Sequence, residues 1–146
     1  MTAVPMQKEY IPFVIDLLQE ESLKSALHLG DISRNEWEKA FKKNLRDRDE
    51  ANFILYRGDS PIGWLKLNGL KGDTAWISGL AVHPAHQGQG AGRFAMLCAE
   101  DIAREKGFTR LWLHTALDNV PAQACYEKMG YTLTERTHHL TYMKEI

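Results

Sequence analysis

Leu80-Ala81-Val82-His83-Pro84-Ala85-His86-Gln87-Gly88-Gln89-Gly90-Ala91-Gly92-Arg93-Phe94 is the stretch on which the reading of this chain turns. An apolar run ends at Val82, a polar loop follows, three glycines alternate at 88, 90 and 92, and a helical pattern then runs to Lys106. Glycine lacks a Cβ, so a ligand can approach the backbone closely and positive φ is allowed. The helix that follows turns its unpaired N–H groups, and the positive end of its dipole, toward the loop. Such a place binds phosphate-like anions. Arg93 adds a positive charge in the first turn.

Two familiar phosphate loops fit poorly. A Walker A loop requires Gly-Lys-Ser/Thr, whereas Arg93-Phe94 follows Gly92. Gly90-Ala91-Gly92-Arg93-Phe94-Ala95 fits the dinucleotide pattern Gly-x-Gly-x-x-Ala literally. That fingerprint demands a tight turn directly off the strand and an acid about 20 residues on. Here residues 83–89 intervene, and Arg110 to Leu113 contain no acid.

Working outward, Tyr10 to about Leu27 has a helical period, with Tyr10, Val14, Leu17 and Leu18 on one stripe. Ser33 with Glu36 forms a capping-box pattern before a helix carrying Trp37, Phe41 and Leu45. The period then changes. Asn52–Arg57, Ile62–Leu67 and Thr74–Val82 read as strands joined by turns, which predicts an antiparallel meander. Gly79 inside the third strand suggests a bulge. The helix from Gly90 to Lys106 is expected to bury Phe94, Leu97, Cys98 and Ile102, with Gly107 ending it. Arg110–Thr115 follows as a strand, and a strand–helix–strand unit implies a parallel pair. Asn119-Val120-Pro121 opens a short helix to Met129, and Tyr131–Glu135 and His139–Lys144 close the chain as strands. The expected fold is α/β: a mixed, mostly antiparallel central sheet with one parallel pair, flanked by helices, in a single domain over residues 1–146.

The chain of 146 residues is long enough to bury a core without staples. It is 44% apolar and 25% charged with a net charge of −1, so no basic field points to nucleic acid. Met1-Thr2-Ala3-Val4-Pro5 lacks the form of a signal peptide, and no run approaches the roughly 18 apolar residues of a membrane span. A cytoplasmic protein is expected. Cys98 and Cys125 are not in a Cys-x-x-Cys pattern and the six histidines are scattered, so no metal is expected.

A second constellation comes later: Asn119, Ala122, Tyr126, Gly130 and Tyr131. Together with Gln87-Gly88-Gln89-Gly90-Ala91-Gly92, approached through Leu80-Ala81-Val82-His83-Pro84, it resembles the GNAT superfamily of acyl-CoA N-acyltransferases. The resemblance covers roughly Phe53 to the C-terminus. It implies an enzyme using acetyl-CoA as acyl donor, and a parallel pair that forms the cofactor cleft. Backbone groups of Leu80, Ala81 and Val82 would pair with the pantetheine arm. N–H groups of Gln87, Gly88, Gln89, Gly90, Ala91, Gly92 and Arg93 would hold the pyrophosphate. Asn119 would contact the cofactor, and Tyr126 would protonate the departing thiolate. Taken alone, Asn119 is a helix cap and Tyr126 a core aromatic; in register with the glycine loop they acquire these roles.

The implied reaction is direct attack of a neutral amine on the thioester, with the oxyanion held by a backbone N–H near Leu80. Neither cysteine resembles an activated nucleophile. Many relatives place Glu or Asp just before the Leu of the third strand, but Ser78 and Gly79 stand here. The proton-accepting candidates are His114, Asp31, Asp118 or water relayed through Ser78. The expected acceptor is a primary amine, and a small-molecule amine, a peptide N-terminus and a protein lysine all stay open. Glu20, Glu21, Asp31, Trp37, Trp64 and His138 could select a cation, but serve equally as a solvated face and core aromatics. A homodimer is compatible with this expectation; a catalytically weak acyl-CoA sensor of the same fold and, less fittingly, a dinucleotide-binding protein stand as alternative functions.

Overall fold

The computed structural model describes residues 1–146. Seven strands form one sheet: β1 (Thr2–Pro5), β2 (Ala51–Arg57), β3 (Ser60–Asn68), β4 (Ala75–Val82), β5 (Arg110–Ala116), β6 (Thr132–Arg136) and β7 (His139–Glu145). Their order is β1-β2-β3-β4-β5-β7-β6. The meander β2–β3–β4 is antiparallel, β4 and β5 are the parallel pair, and β7 inserts between β5 and β6. This is the mixed sheet expected from the periodicities, and it is not the parallel sheet of a dinucleotide fold. The helices are α1 (Ile11–Leu18), α2 (Glu21–Ala26), α3 (Arg34–Arg46), α4 (Ala91–Glu105) and α5 (Val120–Lys128). None is long and apolar enough to cross a membrane.

Two elements differ from expectation. The single helix over Tyr10–Leu27 is broken: α1 stops at Leu18 and α2 starts at Glu21. Residues Gln19–Ser22 carry no apolar side chain to hold a helix on the sheet, and Glu20 takes an extended ψ of 128°. β1 has no counterpart in the sequence reading. It is an edge strand paired to β2 from Thr2↔Tyr56 to Pro5↔Phe53, where proline is tolerated.

The sheet carries a core on each face. On one, Val14, Ile15, Leu17 and Leu18 of α1 and Phe41 of α3 pack on Ile54, Trp64 and Ala81. The Ser33–Glu36 capping box starts α3 as its pattern predicts, with both bonds at 3.2 Å. On the other face lies α4. Its buried stripe is Ala91, Ala95, Ala99 and Ala103 with Met96, in place of the expected Phe94, Leu97, Cys98 and Ile102. Small side chains let the helix axis approach the sheet, so Phe94, Cys98 and Ile102 pack at its flanks and Leu97 is 42% exposed.

The bulge falls where Gly79 suggested it. The register passes from Lys66↔Gly79 to Leu67↔Ile77, so Ser78 is the extra residue. The reason for glycine is steric. A Cβ on Gly79 would lie 2.3 Å from Cη2 of Trp64. That indole is 7% exposed, donates to Asn52 Oδ1 at 3.0 Å, and takes the Phe41 ring edge-on at 5.7 Å. It has nowhere to retreat. Gly79→Ala is therefore expected to destabilise the fold by about 1–3 kcal/mol, the usual range for overpacking. Chemical denaturation checks this, and a variant with the parent's midpoint would show that Trp64 yields freely.

Candidate active site

β4 and β5 pair over only three positions, Ala75↔Leu111, Trp76↔Trp112 and Ile77↔Leu113. Beyond them β4 continues along β3 to Val82, and β5 continues along β7 to Ala116. The two strands thus part, leaving a wedge inside the sheet. The bulge also re-phases β4. Ala75 and Ile77 face the α4 side before it, and Leu80 and Val82 do so after it. The His83 N–H donates to the Ile62 carbonyl at 2.8 Å. Since hydrogen-bonded pairs alternate in an antiparallel ladder, Leu80 and Val82 turn their backbone polar groups away from β3, into the wedge. The Val82 carbonyl accepts from the Gln87 side-chain amide at 3.0 Å. Gln87 thus anchors the start of the loop through its side chain, a role its sequence position did not reveal.

The loop crosses the mouth of this wedge. Pro84–His86 form a single 3₁₀ turn, capped by the Ala85 N–H donating to His83 Nδ1 at 3.1 Å. Gln87 to Gly90 are exposed. Gly88 and Gly90 have φ of +73° and +86°, the left-handed region. Gly90 is the N-cap of α4 and offers no side chain to its first turn. The Phe94 N–H reaches the Gly90 carbonyl, and the earlier N–H groups of Ala91, Gly92 and Arg93 face outward. Nothing lies within 4 Å of a Cβ placed on Gly88, Gly90 or Gly92. Arg57 of β2 donates from Nη2 to the Gln89 carbonyl at 3.4 Å, which puts a second guanidinium beside the loop. No local pattern at Arg57 signals this, because β2 and the loop meet only in the folded sheet.

Asn119 caps α5 by accepting from the Ala122 N–H at 3.4 Å. Two turns on, the half-buried Tyr126 packs against Tyr142 and Tyr131 at centroid distances of 5.9 and 6.4 Å. Burial, with smaller contributions from Cys125 and Tyr142, pushes its phenol up to about 12. It therefore holds its proton at neutral pH. Tyr131 is anchored in turn by Glu100 of α4, which is only 2% exposed. Glu100 accepts from the Tyr131 hydroxyl at 3.1 Å and from Lys144 Nζ at 2.9 Å. This network fastens α4 to the turn after α5. No sequence signal marks it, because the face on which Glu100 lies, with Met96 and the alanines, is not the apolar face expected of this helix.

Tyr126 and Asn119 line a cavity of about 660 Å³ with Asp118, His114, His138 and His139. The end of α2 closes its far side, where His28 Nε2 meets Asp118 Oδ1 at 2.9 Å. On the other arm of the wedge, Glu20 lies 3.5 Å from His83. Of the acidic candidates, Asp31 is solvent-exposed, paired with Lys24, and lines a different cleft beside Trp37. Lys24 holds its carboxyl below the usual range. The hydrogen bond from His28 does the same for Asp118. Trp64 is a core residue, and Trp37 stacks on Phe41 at 5.6 Å. Burial pushes the Cys98 thiol up, which disfavours a thiolate. No group of three or more His, Cys, Asp or Glu side chains is arranged to hold a metal ion.

The family model described as "Acetyltransferase (GNAT) family" matches residues 11–131. The chain belongs to that family. It is similar to the streptothricin acetyltransferase of Streptomyces lavendulae, with 44% identity over 90 residues, 58% of this chain and 46% of that protein. It is also similar to the [ribosomal protein bS18]-alanine N-acetyltransferase of Escherichia coli K12, with 29% identity over 119 residues, 80% of this chain and 79% of that one. It spans half or less of the length of three curated relatives it matches: 46%, 32% and 50%. Among solved structures, the spermidine N-acetyltransferase of Vibrio cholerae in complex with CoA and spermine superposes with a TM-score of 0.83 at 20% identity. That comparison covers 99% of this chain and 94% of the other, and establishes a shared fold.

The loop geometry makes a paired prediction. Gly90→Ala places a Cβ in the left-handed region and is expected to destabilise by about 1–2 kcal/mol. Gly92→Ala, on helical backbone with open space around it, should be neutral or stabilising, because alanine is favoured over glycine in a helix by up to about 1 kcal/mol. Equal denaturation midpoints for the two variants would refute the conformational reading.

Proposed function

We propose that residues 1–146 act as one N-acetyltransferase domain that passes an acetyl group from acetyl-CoA to a primary amine, by direct attack in a ternary complex. The observation that carries this is the parting of β4 from β5 after Ile77 and Leu113, with the Leu80 backbone turned into the gap and the glycine loop across its mouth. An extended pantetheine arm fits there as a strand against Leu80, Ala81 and Val82. The pyrophosphate fits the N–H groups of Gln87, Gly88, Gln89, Gly90, Ala91, Gly92 and Arg93, with Arg57 adding charge. Asn119 borders the acyl end.

The chemistry follows from placement. The Leu80 N–H stabilises the charge that develops on the thioester oxygen. Tyr126 keeps its proton until the thiolate leaves, then donates it. The two arms of the wedge, fixed by β3 and β7, hold amine and carbonyl in contact. The relatives named above suggest the acceptor panel: streptothricin, spermidine and a peptide beginning with alanine.

Calorimetry should find binding of acetyl-CoA and CoA but not of NADPH or ATP; tight NADPH binding without CoA binding would sink the assignment. Gly90→Asp places a carboxylate in the cradle and should weaken CoA by tenfold or more, since like charges at close range repel.

Tyr126→Phe keeps the packing ring and removes the proton. Its turnover should fall roughly 10²–10⁴-fold, with acetyl-CoA affinity within a few-fold. Unchanged turnover at saturating substrates would make Tyr126 a structural aromatic. A parent that binds acetyl-CoA and acetylates nothing in the panel would favour a sensor over an enzyme.

A further inference from the structure

Aminolysis of a thioester needs a group that removes a proton from nitrogen, and the wedge narrows the choice. On β4, Gly79 has no side chain and the Trp64 indole covers it. Ser78 sits in the bulge with its hydroxyl turned to the Lys66 carbonyl at 3.4 Å. Asp31 lies in another cleft and Asp118 is engaged by His28.

His114 is the first residue of β5 beyond the last β4 pair, so it stands at the apex of the wedge. It lines the cavity that holds Tyr126 and also the adjoining one of about 360 Å³ that holds Ile77 and Ser78. Its ring is fixed on three sides. Trp76 stacks on it at 4.5 Å with 26° between planes, and His139 meets it edge-on at 4.2 Å. Nδ1 lies 3.1 Å from Oγ1 of Thr141, a residue 4% exposed. Nε2 has no protein partner among the hydrogen bonds.

From this we infer that His114 is the general base of the acetyl transfer, and that Thr141 is a positioning residue that accepts from Nδ1–H and so leaves Nε2 as the basic nitrogen. This rests on the acetyltransferase reading. As the amine attacks, the C–N bond forms and the nitrogen becomes cationic. Nε2 takes one proton from that nitrogen, the C–S bond breaks, and the thiolate takes the Tyr126 proton. His114 then returns its proton to solvent, and Tyr126 regains one.

The neighbourhood keeps the base ready. Burial, and repulsion from His139 of β7 and His138 before it, lower the His114 pKa from its usual value, while Glu135 of β6 opposes them. Tyr126, Asp118 and His28 complete the titratable lining of the cavity. The shift favours the neutral imidazole, the form in which a base must start. A base of such low pKa suffices, because the nitrogen of the tetrahedral adduct is far more acidic than the free ammonium ion, whose pKa is about 8 for an α-amine.

The test is the pH dependence of kcat/KM for the parent, His114→Gln, Thr141→Val and Thr141→Ser, using whichever panel amine turns over, with acetyl-CoA affinity measured alongside. The parent should show an acid limb on the acid side of an ordinary imidazole's, apart from the limb of the amine itself. His114→Gln should lose that limb and about 10²–10³-fold in kcat, with acetyl-CoA affinity within threefold. Thr141→Val should displace the limb and lower kcat more than it changes KM, and Thr141→Ser should restore both. If His114→Gln keeps the parent's rate within threefold and its limb, the base assignment is wrong. If Thr141→Val leaves the limb in place, the positioning role is wrong. A parent that binds acetyl-CoA yet acetylates no amine overturns the enzymatic reading itself, and this role with it.

Discussion

Each arm of the central wedge is held by its outer neighbour: β4 by β3 as far as Val82, and β5 by β7 as far as Ala116. The strands can therefore stop bonding to each other without either one fraying. Backbone polar groups inside a sheet are destabilising when left unpaired. The Gln87 amide satisfies the Val82 carbonyl, and an extended ligand lying along Leu80 would satisfy its neighbours in the same way. In the wedge the fold has made room for one more strand.

The bulge at Ser78 is what makes the wedge chemically asymmetric. By adding a residue it turns Leu80 and Val82 toward the α4 core, and Gly79 and Ala81 toward the α1–α3 core. Trp64 then fills the space a Gly79 side chain would take. Gly79 thus offers no side chain to the wedge, while on the other arm His114, Asp118, Asn119 and Tyr126 share one cavity. The α1–α2 segment reaches both arms through His–carboxylate pairs, Glu20 with His83 and His28 with Asp118.

Precision at Tyr126 is supplied from behind. The alanine stripe lets α4 lie close on the sheet, which brings Glu100 within reach of Lys144 and Tyr131. A buried carboxylate is tolerated only when it is paired and hydrogen-bonded, so this network fixes one arrangement of α4, β7 and the turn after α5. Tyr126 packs against Tyr131 in that arrangement. The same burial that raises its pKa keeps the phenol protonated at neutral pH.

Local signals were sufficient for much of this. The change of hydrophobic period, the glycine spacing at 88, 90 and 92, the Ser33–Glu36 box and the Asn119-Val120-Pro121 start predict the core order of elements from α3 to β7, the parallel pair and the loop at a helix start. Those features act over a few residues, through backbone sterics and helix-end hydrogen bonds, so one stretch of chain contains all the information they need. The sequence could not show that Thr2–Pro5 pairs as an edge strand, or that alanines rather than Phe94 and Ile102 face the core. Nor could it show that Arg57 meets the glycine loop, or that His114 and Asp118 share a cavity while Asp31 lines another cleft. Each of these is decided by which distant surface a residue packs against: Arg57 on Gln89, Asp118 on His28, His114 on Trp76 and Thr141. Periodicity fixes which face of an element is apolar, but only the assembled sheet determines what lies opposite it.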